Sequence, residues 1–339
     1  GQVFAVSLAN GWAARGGRVC LFNLGQLPSH ESVLGRIDSR VVYYDLNTVD
    51  RRFEEIVSEF DVDVIHSSIW WGDRFVHDNI HRVDPSIGWI VSMHGCIETI
   101  LDDPDIDKSF PKRFDDMKRK VDHWAYTANK NLRVFDTYGM PESISRIDNG
   151  IASKTSQGLS RTDLGVREDA LLLCLATRAI PEKGWYHAVD MVKALNEAGI
   201  ATDLMLIGAG KAEETLRKAA PEHVHFFGQV ANLQDYLAAA DIGLLPSYFQ
   251  GESFPLVMLE MMAQGKPVVA TDIGEIEAIL GTEKSERAGL IVPLVNGEPD
   301  VPGFVRAISE LADAQVRQQL GREAIQRFES NFTMDIMLE

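Results

Sequence analysis

Short apolar runs alternate with amphipathic stretches along the first half of the chain. RVCLFNL (18–24), VVYYDL (41–46), DVIHSSI (63–69) and WIVSMHG (89–95) read as strands, because short runs of apolar and β-branched residues suit strands of a covered parallel sheet. Phe53, Ile56, Val57 and Phe60 fall three and four apart and predict a helix over 50–60. Phe110, Phe114, Met117, Val121 and Trp124 keep the same spacing and predict one apolar helix face over 109–124. HWAYTAN (123–129) and SRIDNGI (145–151) read as further strands. Ahead of all of these, Val3, Val6, Leu8 and Trp12 predict an amphipathic helix ended by Gly16-Gly17. A helix opening an α/β protein ordinarily follows a strand, so the pattern leads us to expect one upstream of Gly1.

The segment 152–168 (ASKTSQGLSRTDLGVRE) is rich in Ser, Thr, Gly and charge and reads as a linker. Strands at 170–178, 202–208, 224–228, 241–247 and 266–272 then alternate with helices at 184–198, 211–220, 232–240 and 255–264. Two more helices follow at about 303–313 and 315–330, and FTMDIMLE reads as the start of another. Strand–helix alternation of this kind specifies a doubly wound parallel sheet. We therefore expect an α/β chain of two facing Rossmann-like domains, 1–153 and 154–325, with 326–339 returning as a helix to the first. The expected binding site is a cleft at the carboxyl ends of the strands.

Composition narrows the classes. The 339 residues are 45% hydrophobic and 24% charged, as expected for an ordinary soluble domain pair. No apolar run reaches the roughly 18 residues of a spanning helix, and no signal peptide is legible at the start. With 33 basic against 50 acidic side chains the net charge is −17, which argues against a partner bound through phosphate neutralisation, so no nucleic acid is expected. Cys20, Cys96 and Cys174 are widely spaced beside apolar neighbours, with no Cys-x-x-Cys pair, and read as reduced buried thiols of a cytoplasmic protein.

The most informative stretch is GESFPLVMLEMMAQGKPVVATDIGEIEAIL (251–280). Seven residues separate Glu252 from Glu260, and Pro255 stands near the first helical position, where proline is favoured. Glu252 is thereby placed on a loop and Glu260 about a turn and a half into a helix. Free N–H groups at Leu256 and Val257 offer an anion site. A diphosphate at such a helix end, flanked by two carboxylates accepting from ribose and sugar hydroxyls, would suit a nucleotide-diphosphate sugar. Two glutamates alone would equally serve as a dipole partner and a solvated side chain.

The wider pattern resembles the retaining glycosyltransferases of family four, whose fold is GT-B. Gly265-Lys266-Pro267-Val268-Val269-Ala270 and Gly274 are similar to that family's signature after its paired glutamates. LATRAIPEKGW (175–185), LMLIGAGKAEETL (204–216), VHFFGQV (224–230), AADIGLLPS (239–247) and SRIDNGI (145–151) resemble its other blocks, in order. The resemblance implies that Arg178 and Lys183 bind the diphosphate, that Glu260 binds the ribose, and that Glu252 lies by the anomeric carbon. It further implies that the backbone around Gln229 and Val230 meets the base, and that Phe254, Leu256 and Val257 line the phosphate end. His94 matches the N-domain histidine beside the donor sugar, and Gly1 the last glycine of a loop. Catalysis would then involve Glu252, His94, Arg178 and Lys183. No cofactor and no metal are implied, only a UDP-, GDP- or ADP-sugar donor and a carbohydrate or glycolipid acceptor recognised around 70–82 and 94–120. Two departures stand out: Pro255 where the family often has glycine, and Gly274-Glu275-Ile276-Glu277 without the family's proline.

Other signals compete. Asp102, Asp103, Asp105 and Asp107 suggest an Asp-x-Asp metal site, but a calcium loop would need Gly at 108 and Glu at 114, where Lys108 and Phe114 stand. His77 and His81 have zinc-helix spacing with Asp78 in the place of the catalytic Glu. Gly208-Ala209-Gly210 hints at a dinucleotide fingerprint, yet Glu213 occupies the third glycine position. Lys108, Lys112, Arg113, Lys118, Arg119 and Lys120 form a basic helix face, read as solvated, with contact to an anionic membrane surface as the alternative. The expected function is metal-independent, retaining hexosyl transfer in cell-surface polysaccharide or glycoconjugate synthesis, in the cytoplasm or at the inner membrane face. A sugar-nucleotide 2-epimerase and a silent nucleotide-sugar-binding protein are the rivals.

Overall fold

The computed structural model describes residues 2–25, 31–153, 156–281 and 287–339, except the side chains of Glu31, Ser32 and Cys96. Gly1 therefore lies outside the described residues. The chain divides into two compact units, 1–149 with 337–339, and 150–336.

The first unit opens with the expected helix, Gln2–Ala14, but its buried face is Phe4, Val6, Ala9 and Ala13 rather than Val3, Val6, Leu8 and Trp12, and Trp12 is exposed. Strands β1 (Val19–Asn23) and β2 (Val41–Asp45) pair in parallel. A separate parallel sheet contains β3 (Val64–Ser67), β4 (Gly88–Met93), β5 (His123–Tyr126) and β6 (Ile144–Arg146) in that order. Its core is aromatic: Trp70, Trp89, Phe110, Phe114, Trp124 and Phe135 are all buried. The helix expected over 109–124 ends at Lys120. Asp122 N–H donates to Trp89 O at 2.9 Å, and Trp89 N–H donates to the Asp122 carboxylate at 2.7 Å. These bonds draw the chain into the sheet, so Val121 and Trp124 join the same core from outside the helix.

The second unit is built on a six-stranded parallel sheet, with a small antiparallel pair of Leu294–Val295 and Glu298–Pro299 beside it in sequence. The sheet's strands are β7 (Leu171–Ala176), β8 (Thr202–Ile207), β9 (Val224–Gly228), β10 (Ile242–Leu245), β11 (Val268–Thr271) and β12 (Gly289–Val292), ordered β12-β11-β10-β7-β8-β9. Every residue of β7, β8, β10 and β11 is buried, because alternate side chains feed two opposite cores. Leu172, Cys174, Met205 and Leu245 pack with Met258, Met261 and Phe328 on one side. Leu173, Leu175, Leu206 and Leu244 pack with Trp185, Val192 and Phe304 on the other.

The described part of the segment read as a linker is folded into this unit. Ser156 Oγ donates to Asp235 at 2.6 Å, Ser160 caps the helix Arg161–Leu164, and Arg161 pairs with Asp241 at 2.7 Å. The helix Ala314–Asn331 packs against the helix Leu256–Ala263 in the second unit. Of the segment 326–339, only Met337–Glu339 groups with the first unit, where Arg15 donates to the Leu338 carbonyl at 2.9 Å. Among the described residues no helix is long and apolar enough to cross a membrane.

Candidate functional site

Sheets of this type present their loops at the carboxyl ends of the strands, and those of the second unit converge there. After β7, Thr177 N–H donates to Ile207 O and Ala179 N–H to Ala209 O, each at 3.0 Å. Arg178 is thereby anchored on both sides with its side chain exposed. This close contact also explains the glycines of Gly208-Ala209-Gly210. At Gly208 (φ +137°) an added Cβ would lie 1.9 Å from the Thr177 carbonyl oxygen. That motif serves loop packing rather than a dinucleotide turn.

The chain then forms the short turn Pro181–Lys183, stopped by Gly184 at φ +78°. A Cβ on Gly184 would fall 2.1 Å from the Pro246 carbonyl oxygen, so the loop after β7 is pressed onto the loop after β10. Two bonds fasten them: Tyr248 N–H donates to Glu182 O at 2.8 Å, and Ser247 Oγ donates to the same carbonyl at 3.3 Å.

This fastening brings Lys183 and Glu252 together, 69 residues apart in sequence, with Nζ 2.5 Å from Oε2. Each side chain keeps only 10% of its exposure. Two charges that deep need each other, because losing one would leave the other buried and uncompensated. Phe249 completes the group. Its ring centroid lies 4.7 Å from Lys183 Nζ and 5.3 Å from Arg178 Cζ. Sequence reasoning did not single out Phe249; the signal was an aromatic three residues ahead of Glu252, on the same turn.

Glu252 precedes the helix Leu256–Ala263, which has Pro255 as its N-cap residue. Leu256 and Val257 occupy its first turn and are half-buried, and Glu260 lies in the next turn, 9% exposed. The Phe254 ring lies in the core, 5.8 Å from that of Phe332. Glu275 N–H donates to Ser253 O at 2.9 Å, which anchors the turn that lacks the family's proline. Beyond β9, Gln229 is exposed and Val230 half-buried, next to Gly228, whose carbonyl accepts from Gly208 N–H at 2.7 Å. The second unit thus gathers two cations, a carboxylate, a helix amino end and a second carboxylate around its strand ends. That set can hold a doubly or triply charged anion by charge and its hydroxylated substituents by the carboxylates.

His94 follows β4 in the first unit. Its ring packs against that of Phe4, tilted by 53° with centroids 4.1 Å apart, and among the described residues its Nε2 is buried without a hydrogen-bond partner. Burial pushes its pKa down to about 3, so the imidazole is neutral near pH 7. One turn on, Glu98 accepts from Asn131 at 2.8 Å through Oε1, and its buried Oε2 has no hydrogen-bond partner among the described residues.

The competing signals have structural occupations. Asp107 accepts from Trp70 Nε1 at 2.8 Å and from Ser109 Oγ at 2.6 Å. Asp102 pairs with Arg133 and Asp105 with Lys108. His77 lies between Asp78 and Asp116, while His81 is exposed. On the basic helix, Arg119 pairs with Asp115 and Lys120 with Asp116, each at 2.8 Å, Arg113 pairs with Asp78, and Lys118 donates to the Tyr138 carbonyl.

Comparison with known proteins places these motifs. The family described as Glycosyl transferases group 1 matches residues 170–314. A GDP-mannose-dependent monoacylated alpha-(1-6)-phosphatidylinositol monomannoside mannosyltransferase of Corynebacterium glutamicum is 26% identical over 240 residues, covering 65% of this chain and 61% of that one. A phosphatidyl-myo-inositol mannosyltransferase of Mycobacterium leprae is 30% identical over 154 residues, 44% of this chain and 40% of that one. The chain spans between 40% and 61% of the length of such curated relatives. Among solved structures, HepE of Anabaena, determined with UDP and glucose, superposes with a TM-score of 0.74 at 17% identity, covering 99% of this chain and 93% of that one.

Proposed function

We propose that the chain transfers a hexosyl group from a nucleoside-diphosphate sugar to an acceptor hydroxyl, a reading supported by the match of residues 170–314 to the glycosyl transferases group 1 family and by the GT-B fold. The observation that carries this reading is the meeting of Arg178, Lys183, Glu252 and the amino end of Leu256–Ala263 within the second unit. In the reaction, the bond between the anomeric carbon and the diphosphate oxygen breaks, and a bond to the acceptor oxygen forms on the same face. The acceptor proton passes to the leaving phosphate, and nucleoside diphosphate departs. Arg178, Lys183 and the helix end stabilise the charge gathering on that phosphate, without need of a metal. Glu252 offsets the positive charge growing at the anomeric carbon. Glu260 accepts from the ribose hydroxyls, while Gln229 and Val230 offer backbone groups to the base. The first unit recognises the acceptor through groups such as Glu98, on the helix Cys96–Asp102 that follows β4.

A glycan or glycolipid acceptor of the cell surface is supported by relatives named for phosphatidylinositol mannosides, and a UDP or GDP donor by the nucleotides named with the relatives and neighbours. The test is a donor panel of UDP-glucose, UDP-N-acetylglucosamine, GDP-mannose and ADP-glucose, incubated with and without candidate acceptors. Acceptor-dependent release of nucleoside diphosphate is the expected result. Conversion of a donor to its epimer without net release would instead establish an isomerase, and binding without turnover across the panel a silent binding protein.

A further inference from the structure

We infer that Phe249 is a positioning residue: its ring holds both Arg178 and Lys183 as the diphosphate seat, and Glu252 occupies that seat until phosphate displaces it. This inference rests on the nucleotide-sugar reading of the same site. Both cations lie within the distance over which an aromatic face attracts positive charge, roughly 6 Å, at 5.3 Å for Arg178 and 4.7 Å for Lys183. Placing two like charges over one ring sets them against each other, and the ring quadrupole together with the Glu252 carboxylate offsets that repulsion. Among the described residues the Arg178 guanidinium has no hydrogen-bonded or ionic partner, so the ring is what holds this exposed side chain in place. Lys183, in contrast, has both the ring and Glu252.

The position of the ring is built into the local sequence. Glu252 N–H donates to Phe249 O at 2.9 Å and closes the turn 249–252. Within that turn an added Cβ on Gly251 would lie 2.5 Å from Phe249 Cε1, so the ring folds back over a residue that has no side chain. The preceding residues Ser247 and Tyr248 are bonded to Glu182 O, which ties the ring to the loop bearing Lys183. An aromatic face has no charge of its own to compete with phosphate. When a diphosphate replaces the carboxylate on Lys183, the ring continues to place both cations, and Glu252 is released toward the sugar. Diphosphate arrival and the freeing of Glu252 thereby become one exchange.

The experiment titrates UDP, GDP, inorganic pyrophosphate and the uncharged nucleosides uridine and guanosine into wild type, Phe249→Leu, Phe249→Met and Phe249→Tyr, with thermal unfolding of each protein alongside. For the Leu and Met variants the expected loss is about 5- to 30-fold for diphosphates and pyrophosphate, with nucleoside affinity unchanged. Tyr, which keeps the ring face, should restore affinity to within about threefold. In turnover the loss should fall more on KM for the donor than on kcat. Diphosphate and pyrophosphate affinities equal to wild type in the Leu and Met variants would overturn the inference, as would an equal loss for nucleosides, which marks a merely structural role. If wild type binds pyrophosphate but no nucleoside diphosphate, the nucleotide-sugar reading fails, and the Phe249 inference is still decided by pyrophosphate. Binding of none of these by wild type would overturn both.

Discussion

In the second unit Lys183 and Glu252 satisfy one another at 2.5 Å inside a web of fastened loops. Among the described residues of the first, His94 Nε2, Glu98 Oε2, Asp73 Oδ1 and Trp124 Nε1 are buried with no hydrogen-bond partner, against His187 Nδ1 and His225 Nε2 in the second. The sheets beneath them differ in the same sense. Strands β7, β8, β10 and β11 are buried at every residue, whereas β1, β2 and β3 belong to two small sheets with partly exposed strands. A sheet covered on both faces can hold its loops closely enough to bury an ion pair, because each backbone approach is fixed by packing on either side. The less fully packed unit keeps more polar atoms whose desolvation cost is not recovered internally, carboxylate oxygens of Glu98 and Asp73 among them, and such atoms suit a ligand that supplies the missing bonds. On the function proposed above, this contrast assigns a preorganised diphosphate seat to the second unit and polar groups open to a further ligand to the first.

The contrast is broken most severely at Glu252. Glu252→Gln should lower turnover roughly 100- to 1,000-fold by removing a preorganised charge that acts in the transition state. Nucleoside-diphosphate affinity should stay level or rise, because Lys183 loses its internal competitor. A steady-state assay paired with calorimetric titration checks both, and a loss of affinity as large as the loss of turnover would refute the role. Glu260→Ala should do the opposite, weakening nucleoside diphosphate about 10-fold or more through lost ribose hydrogen bonds while sparing pyrophosphate.

Next in size is Gly184→Ala, which forces a side chain into a left-handed backbone against the Pro246 carbonyl. A cost of about 2 to 4 kcal/mol in thermal or denaturant unfolding is expected, with weaker diphosphate binding because the two loops no longer meet.

Asp73 sharpens the comparison from the first unit's side. Burial pushes its pKa from 3.8 up to about 7, against a lowering hydrogen bond from Ser67. With the folded value raised, the folded state binds more protons than the unfolded state between these two pKa values. Stability from this group is therefore complete below pH 3.8 and lost as pH rises to about 7. Asp73→Asn should raise the melting temperature at pH 8, by no more than about 4 kcal/mol in stability, with the gain shrinking toward pH 4. An equal gain at both pH values would show that ionisation is not the cause. The smallest expected effect is that of exhaustive chelation: transfer should persist in EDTA, since Arg178 and Lys183 supply the charge, and loss restored by manganese or magnesium would contradict this.

Much of the second unit is legible in its sequence, because apolar strand runs alternate there with helices whose ends carry Gly or Pro. The helix Leu256–Ala263 and the placement of Glu252 and Glu260 around its start follow from spacing and from Pro255. Spacing misleads where a tertiary contact takes over. Val121 and Trp124 continue a helical period by chance, while Asp122 binds Trp89 and turns the chain into β5. The basic helix face reads as unpaired in one dimension because Asp78 and the Tyr138 carbonyl, partners of Arg113 and Lys118, come from elsewhere in the chain. Phe249 was invisible for a related reason: its role depends on two cations that precede it by 66 and 71 residues, and no local pattern records that meeting. The Phe4–His94 ring contact likewise joins segments that carry no shared motif.

The central claim is that the second unit holds a diphosphate on Lys183 and Arg178, and titration of UDP and GDP into Lys183→Met tests it most directly. Removing the ammonium while keeping the stem deletes one phosphate partner and leaves the Glu252 carboxylate buried and uncompensated beside the incoming anion. The account predicts roughly a 100-fold or greater loss of nucleoside-diphosphate affinity relative to wild type. Affinities within about threefold of each other would contradict it.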